Sequence, residues 1–296
     1  MRFAISLLAL LLPFSAQALN VFACEPEWAA LVGELAGTDA NITVATTARQ
    51  DPHRLQAKPS LIAAVRNADL VVCTGADLEI GWLPLLLRRA GNASIQPGNP
   101  GYFLAADFVR KLEVPKLIDR SQGDIHPQGN PHLHLDARNI GRISGALGER
   151  LAQIDSANAA VYEERLEDFT ARWALAVDDW RERARPLVGL RIVSSHRSFS
   201  YLAAWLRLDV VATLEPKPGI PASGAHLAGL LELLAGNPPA AVVRTPYENE
   251  NSAEWLSKRL KIPDVILPYT VGGSADAGNL FDLFDATIAA LLRIQD

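Results

Sequence analysis

The chain contains six histidines: His53, His126, His132, His134, His196 and His226. Neutral imidazole is the commonest biological ligand for zinc. His53 stands in Gln50-Asp51-Pro52-His53, after a strand-like run, with Pro52 stiffening the backbone before it. His132 stands in Asn130-Pro131-His132-Leu133-His134-Leu135-Asp136, just ahead of a helical pattern. His196 stands in Ser194-Ser195-His196-Arg197-Ser198, at the end of another strand-like run. A lone loop histidine is more often solvated or hydrogen-bonded than a ligand. Three of them at strand-to-helix junctions or loops point to a shared metal, with two ligands from the first half of the chain and one from the second. Other chemistries lack their residues. No H-E-x-x-H or paired C-x-x-C spacing occurs, and no glycine loop is suited to phosphate. No Gly-x-Ser-x-Gly occurs, and Ser195 adjoins His196 in sequence rather than sitting in an elbow.

Elements must bring these histidines together. Strand-like and helical patterns alternate: strands at 20–24, 41–45 and 69–73, helices at 27–37 and 59–66. Such alternation predicts βαβ units and a parallel sheet, with the ligand site at the carboxyl ends of the strands. Residues 91–128 are rich in Gly, Pro, Asn and Asp and read as loop with short elements. A helix at 137–153 follows. Asp155 is the expected N-cap of a long helix at 156–185, with Leu166, Phe169, Trp173, Val177 and Trp180 near helical spacing and Pro186 ending it. At ~1.5 Å per residue it would run roughly 45 Å. A second alternating set follows, with strands at 191–195, 209–213, 240–244 and 265–268, and helices at 198–206, 224–234, 252–260 and 279–292. The expected fold is α/β, two doubly wound lobes (19–154 and 187–296) joined by one long backbone helix (155–186).

The N-terminus reads as an export signal over residues 1–18. Arg2 is followed by an apolar stretch from Ala4 to Phe14 and an A-x-A site at Ala16-Gln17-Ala18. The apolar run is too short to cross a bilayer of about 30 Å. Cleavage after Ala18 predicts a periplasmic protein. Cys24 follows Val21-Phe22-Ala23, but Phe22 is bulky for a lipobox and Cys24 lies within strand-like sequence, so no lipidation is expected. Hydrophobic residues are 49% of the 296, enough for a large core in one or two domains. The formal charge of −5, with no basic run, argues against nucleic acid as a partner. Cys24 and Cys73 both end strand-like runs. Parallel neighbours would put them close enough to bridge, the alternative being two buried thiols.

With these segments in hand, the sequence resembles the metal-binding receptors of ABC transporters, the group with zinc- and manganese-specific periplasmic members. The matching residues are Asp51-Pro52-His53 with Lys58-Pro59-Ser60, Ala68-Asp69-Leu70-Val71-Val72 with Gly75 and Glu79, and Gly129-Asn130-Pro131-His132 with Leu135-Asp136. Ser195-His196 with Phe199 and Tyr201, and Glu215-Pro216-Lys217-Pro218-Gly219-Ile220-Pro221, complete the set. The resemblance implies two α/β lobes joined by a rigid helix with little hinge bending. It implies a receptor rather than an enzyme, acting as a monomer with a membrane permease and in some cases a periplasmic metallochaperone. It places His53, His132 and His196 on the first three metal-ligand positions. Manganese members carry a carboxylate at the third, so His196 favours Zn2+ as the cargo over manganese or iron.

The sequence departs from the family at the fourth ligand. No carboxylate directly follows the strand in Leu267-Pro268-Tyr269-Thr270, which leaves Asp276 as the nearest tentative candidate. Water or His134 are alternatives, although His134, two residues from His132, would point the opposite way in an extended segment. The long histidine-rich loop of many zinc members is absent. His126 either samples metal on entry or is a solvated loop residue, and His226 is expected to be structural. Asp51, Glu215 and Asp136 are candidate acceptors for the second N–H of the liganding imidazoles, with the Glu215–Gly219 segment alternatively a structured turn. A zinc hydrolase with an open water position is the competing class, but no Glu adjoins a ligand histidine to act as its base. An adhesin-like surface protein is disfavoured by the missing lipobox and repeats.

Overall fold

A computed structural model of the protein describes residues 18–117, 123 and 125–295. The signal segment lies outside these residues except for Ala18. Two four-stranded parallel sheets form the frame. The first comprises β1 (Leu19–Ala23), β2 (Ala40–Val44), β3 (Leu70–Cys73) and β4 (Tyr102–Leu104), in the order β2-β1-β3-β4. The second comprises β5 (Arg191–Ser194), β6 (Asp209–Thr213), β7 (Ala241–Arg244) and β8 (Asp264–Ile266), in the equivalent order β6-β5-β7-β8. The central strands β1, β3, β5 and β7 are almost wholly buried, as expected where helices cover both faces of a parallel sheet. In each sheet the connections reverse direction between the first and third strands, so a crevice opens at their carboxyl ends.

The helices around the first sheet are α1 (Pro26–Ala36), α2 (Pro59–Asn67), α3 (Leu83–Ala90) and α4 (Ala137–Ile154). Around the second are α6 (Ser200–Leu206), α7 (Gly224–Ala235), α8 (Asn251–Leu260) and α9 (Leu280–Leu292). Between the halves runs α5 (Ala159–Arg183), 25 residues or ~38 Å at ~1.5 Å each, packed on α1 and α4 from one side and α9 from the other. Its apolar stripe buries Tyr162, Phe169, Trp173 and Trp180. Trp173 and Trp180 meet edge-to-face at 5.1 Å, and Trp180 reaches Phe284 of α9 at 5.0 Å. Helices α4 and α5 approach closely at Gly148, where a Cβ would lie 2.8 Å from Leu166. The result is one apolar core continuous through both halves, with a smaller cluster on the outer face of each sheet.

Three details differ from the sequence expectation. The long helix begins at Ala159, after a 3-10 turn at Ser156–Asn158. Asp155 does not cap its backbone, because its carboxylate is taken by the Asn158 amide and the Tyr162 hydroxyl, both at 2.7 Å. Helix α3 and strand β4 had not been resolved in the sequence. The first is a short, nearly continuous Leu run with Pro84 in its first turn, and the second is a three-residue edge strand, too short for periodicity to reveal. The cysteines form a disulfide, Cys24–Cys73, with Cα atoms 4.8 Å apart. Parallel pairing of β1 and β3 sets Ala23 opposite Val72, so the next residue on each strand is a cysteine facing its partner.

Candidate metal centre

The loop after β2 carries His53. Asp51 folds back on it: Oδ1 accepts the His53 backbone N–H at 3.0 Å and contacts Nδ1 at 2.8 Å. The Trp82 indole donates to the Pro52 carbonyl at 2.8 Å, pinning the turn to the first lobe. His132 is fully buried in the Asn-Pro-His segment before α4. Asn130 shapes that segment by accepting the His132 N–H at 2.9 Å while its amide donates to the Arg197 carbonyl beside His196 at 2.9 Å. The Tyr201 hydroxyl of α6 donates to the Asn130 carbonyl at 2.9 Å and accepts from the Leu112 N–H at 2.9 Å. Thus the second lobe holds the first lobe's Asn-Pro-His segment in place. His132 Nδ1 meets the Tyr269 hydroxyl at 2.7 Å. His196 stands two residues past the end of β5, with Nδ1 at 2.7 Å from Glu215 Oε2. The same carboxylate oxygen accepts the Gly219 N–H at 2.9 Å, closing the Glu-Pro-Lys-Pro-Gly turn, where Gly219 adopts a positive φ of 73°. Orienting acceptor and structured turn are therefore one device.

These three histidines converge. Each offers a ring nitrogen, and the nitrogens lie within 4.8 Å of one another. The ring centroids are 5.3–5.9 Å apart. His132 Nε2 is buried without any hydrogen-bond partner. From the loop ahead of Asn130 a further imidazole reaches one of the three: His126 Nε2 lies 3.2 Å from His53 Nε2. A zinc ion with Zn–N bonds of about 2.0–2.1 Å has a tetrahedral edge of roughly 3.3 Å, so this pair already stands at ligand spacing. A cleft of about 840 Å³ leads to the group, lined by Ile125, His126, His132, His196, Pro216 and Lys217.

Electrostatics separate the three imidazoles. Burial, reinforced by the neighbouring imidazoles, holds His132 well below the usual histidine range. Burial also acts to lower His196, but the hydrogen bond and charge of Glu215 outweigh it, so its proton is held above the ordinary value. Asp51 resists the upward pull of burial through its bonds to His53 and stays below the ordinary carboxyl value. Glu248 also faces this site. Burial pushes it up to about 7, opposed by the Thr245 N–H and by His196.

The other residues considered from the sequence lie outside this group. Asp276 is exposed and is not among the groups that gather, because its glycine-flanked loop is turned by local bonds, Gly273 N–H to the Thr270 carbonyl at 2.9 Å and Ala277 N–H to Ser274 at 3.2 Å. His134 points away from the centre, as its spacing implies. Its Nε2 donates to the Tyr269 carbonyl at 2.8 Å and its Nδ1 lies 3.2 Å from Glu27. Asp136 orients no imidazole: it N-caps α4 through the Arg138 N–H and pairs with the Arg138 guanidinium. His226 sits in the first turn of α7, where its N–H is capped by Ser223 at 3.2 Å. The sequence did not single out Tyr269 or Glu248. Tyr269 stands where a carboxylate had been sought after the last strand, and that displacement was its one visible signal.

The family model for the zinc-uptake complex component A, periplasmic, matches residues 21–293. The chain belongs to this family. Its members are solute-binding receptors for ABC transport rather than enzymes, which removes the hydrolase reading. Among curated relatives, the zinc-binding lipoprotein AdcA of Streptococcus pneumoniae (strain ATCC BAA-255 / R6) is 23% identical over 285 residues, 89% of this chain and 53% of AdcA. The manganese ABC transporter substrate-binding lipoprotein PsaA of Streptococcus anginosus is 24% identical over 194 residues, 64% of this chain and 60% of PsaA. The chain thus spans only about half the length of the curated relatives it matches. The crystal structure of ZnuA superposes with a TM-score of 0.76 at 21% identity, covering 94% of this chain and 98% of that one, and so shares the fold.

Proposed function

We propose that this protein captures zinc between its two lobes and hands it to an ABC permease for import. The observation that carries the reading is the convergence of His53, His132 and His196, with His126 at ligand spacing, while the nearby carboxylates Asp51 and Glu215 bond the far side of the rings. All-nitrogen sets suit zinc, whereas manganese prefers oxygen ligands. A carboxylate behind the imidazole fixes its tautomer and raises its basicity, the arrangement common at zinc sites. His126 replaces Asp276 as the fourth ligand in this reading. The export signal supports a periplasmic receptor, and an unlipidated, monomeric state with a metallochaperone partner belongs to the same proposal.

The test is metal analysis of residues 19–296 after stripping and exposure to equal zinc and manganese. One zinc per chain, lost in His132→Ala and weakened in His126→Ala, supports this reading. A stoichiometric manganese would transfer the same architecture to the manganese branch.

A further inference from the structure

His53 stands between β2 and α2, and His126 between β4 and α4, yet their rings lie 5.1 Å apart, centroid to centroid. A third segment touches both loops. It is the turn that leaves β3, residues 74–82. At its far end the buried Trp82 indole donates to the Pro52 carbonyl at 2.8 Å. Gly81 packs there so closely that a Cβ would stand 3.3 Å from the His53 carbonyl oxygen. Nearer β3, Asp77 Oδ1 accepts from the Gln128 amide at 3.1 Å.

Gln128 is coupled to His126 by a tight turn, His126-Pro127-Gln128-Gly129, closed by the Gly129 N–H to the His126 carbonyl at 2.9 Å. Pro127 fixes its own φ on one side of Gln128. On the other side Gly129 takes a φ of 106°, where a Cβ would stand 2.7 Å from the Leu112 carbonyl oxygen. The backbone that presents Asp77 is also constrained. Gly75, Ala76 and Asp77 have φ of 78°, 50° and 65°, three consecutive left-handed residues, two of them with a Cβ. Aspartate adopts this conformation more readily than most residues, alanine reluctantly. Such strain persists where surrounding contacts over-determine it, and it clusters at functional sites. Here the Leu78 N–H to the Gly75 carbonyl at 3.1 Å and the Trp82 N–H to the Glu79 carbonyl at 3.0 Å close the turn. The left-handed pair sets the direction in which the Asp77 carboxylate leaves it.

We propose that Asp77 is a positioning residue for His126: through Gln128 it holds the His126 ring at ligand spacing from His53, so that the turn after β3 sets the distance between the two loops. Asp77 is not among the groups that converge on the centre and acts only through the path of the loop. The consequence for metal rests on the reading of His126 as the fourth zinc ligand.

Three substitutions separate backbone from side chain. Asp77→Asn keeps an oxygen acceptor and tolerance of the left-handed conformation, Asp77→Gly keeps the conformation and loses the acceptor, and Gln128→Ala loses the donor. In the metal-free protein, a nuclear Overhauser contact between the His53 and His126 rings should be present in the wild type and Asp77→Asn, and lost in Asp77→Gly and Gln128→Ala. In a zinc competition titration, Asp77→Gly and Gln128→Ala should each weaken binding ~3–10-fold, the scale of one hydrogen bond, and Asp77→Asn less than ~2-fold. In a His126→Ala background the first two should change affinity by less than ~2-fold, because their effect passes through the missing ring. Absence of the ring contact from the wild type, its persistence in Asp77→Gly, or an undiminished affinity loss in the His126→Ala background overturns the proposal. If His126→Ala leaves zinc affinity unchanged while the ring contacts behave as described, the fourth-ligand reading fails and the positioning role stands.

Discussion

Two buried polar clusters lie near each other, one of imidazoles drawn from both lobes and one of carboxyls within the first lobe, and they differ in how their groups are arranged. In the cleft, the outer nitrogens of His53 and His196 are tied to carboxylates, His53 Nε2 meets His126 Nε2 at 3.2 Å, and His132 Nε2 has no partner. Deeper in, beside the disulfide, Glu25, Glu27 and Glu79 are buried with partners of their own. Glu79 accepts the N–H groups of Thr74 at 2.7 Å and Gly75 at 3.0 Å, Glu25 accepts the Thr74 hydroxyl at 3.0 Å, and Glu27 is held by Thr270 and His134. Burying a polar group without a partner is unfavourable. The carboxyls give internal N–H and O–H groups an acceptor, although Glu25 Oε1 and Glu27 Oε1 are themselves left without a hydrogen-bond partner. The imidazoles instead converge, with three ring nitrogens within 4.8 Å of one another, an arrangement suited to a metal cation.

If this contrast is right, substitutions in the two clusters have separable effects. The largest effect on metal belongs to the ligands. His53→Ala, His132→Ala or His196→Ala should each lower zinc affinity by more than ~100-fold in a competition titration, beyond the range of orienting partners. Unchanged affinity in His196→Ala would show that the second lobe supplies no ligand. Next come the orienting carboxylates: Asp51→Ala and Glu215→Ala should each weaken zinc by ~10–100-fold. Glu79→Ala should leave affinity near wild type but strip the Thr74 and Gly75 N–H groups of their acceptor. Chemical denaturation should then show a stability loss on the order of 3 kcal/mol.

The pH responses should run in opposite directions. Zinc needs neutral imidazole, and Glu215 holds the His196 proton above the ordinary value of 6.5. Affinity should therefore fall as pH drops through that raised value, and Glu215→Gln should move the loss to lower pH. Glu79 has its proton held up to about 7 by burial, above its ordinary 4.5. A carboxyl raised on folding stabilises below its unfolded value, and that contribution is lost as pH rises through the folded one. Metal-free stability should thus decline between about pH 4.5 and 7, and Glu79→Gln should flatten that slope. The smallest effect is at Asp136, outside both clusters. Asp136→Ala should remove the α4 cap at ~1 kcal/mol while zinc affinity holds, since it touches no ligand ring.

The alternating strand and helix patterns and the apolar stripe of α5 were legible in the sequence, because periodicity is a local property of the chain. So were His53, His132 and His196 as loop and junction histidines between strand-like and helical segments. The disulfide was legible only as a possibility. Two strand-terminal cysteines become partners once β1 and β3 are known to be neighbours in register. Asp276 lies exposed and apart from the imidazoles, because sequence distance from a strand does not say where a glycine-flanked loop will turn. His126 looked like a solvated loop residue until the loop's path set its Nε2 against that of His53. The same holds for Tyr269, which reads as an apolar strand-end residue and becomes the partner of His132 only when the second lobe lies against the first. Residue type and spacing determined which groups could bind metal. Packing of the two lobes along α5 decided which of them meet, because ligand geometry is set by contacts between segments far apart in the chain.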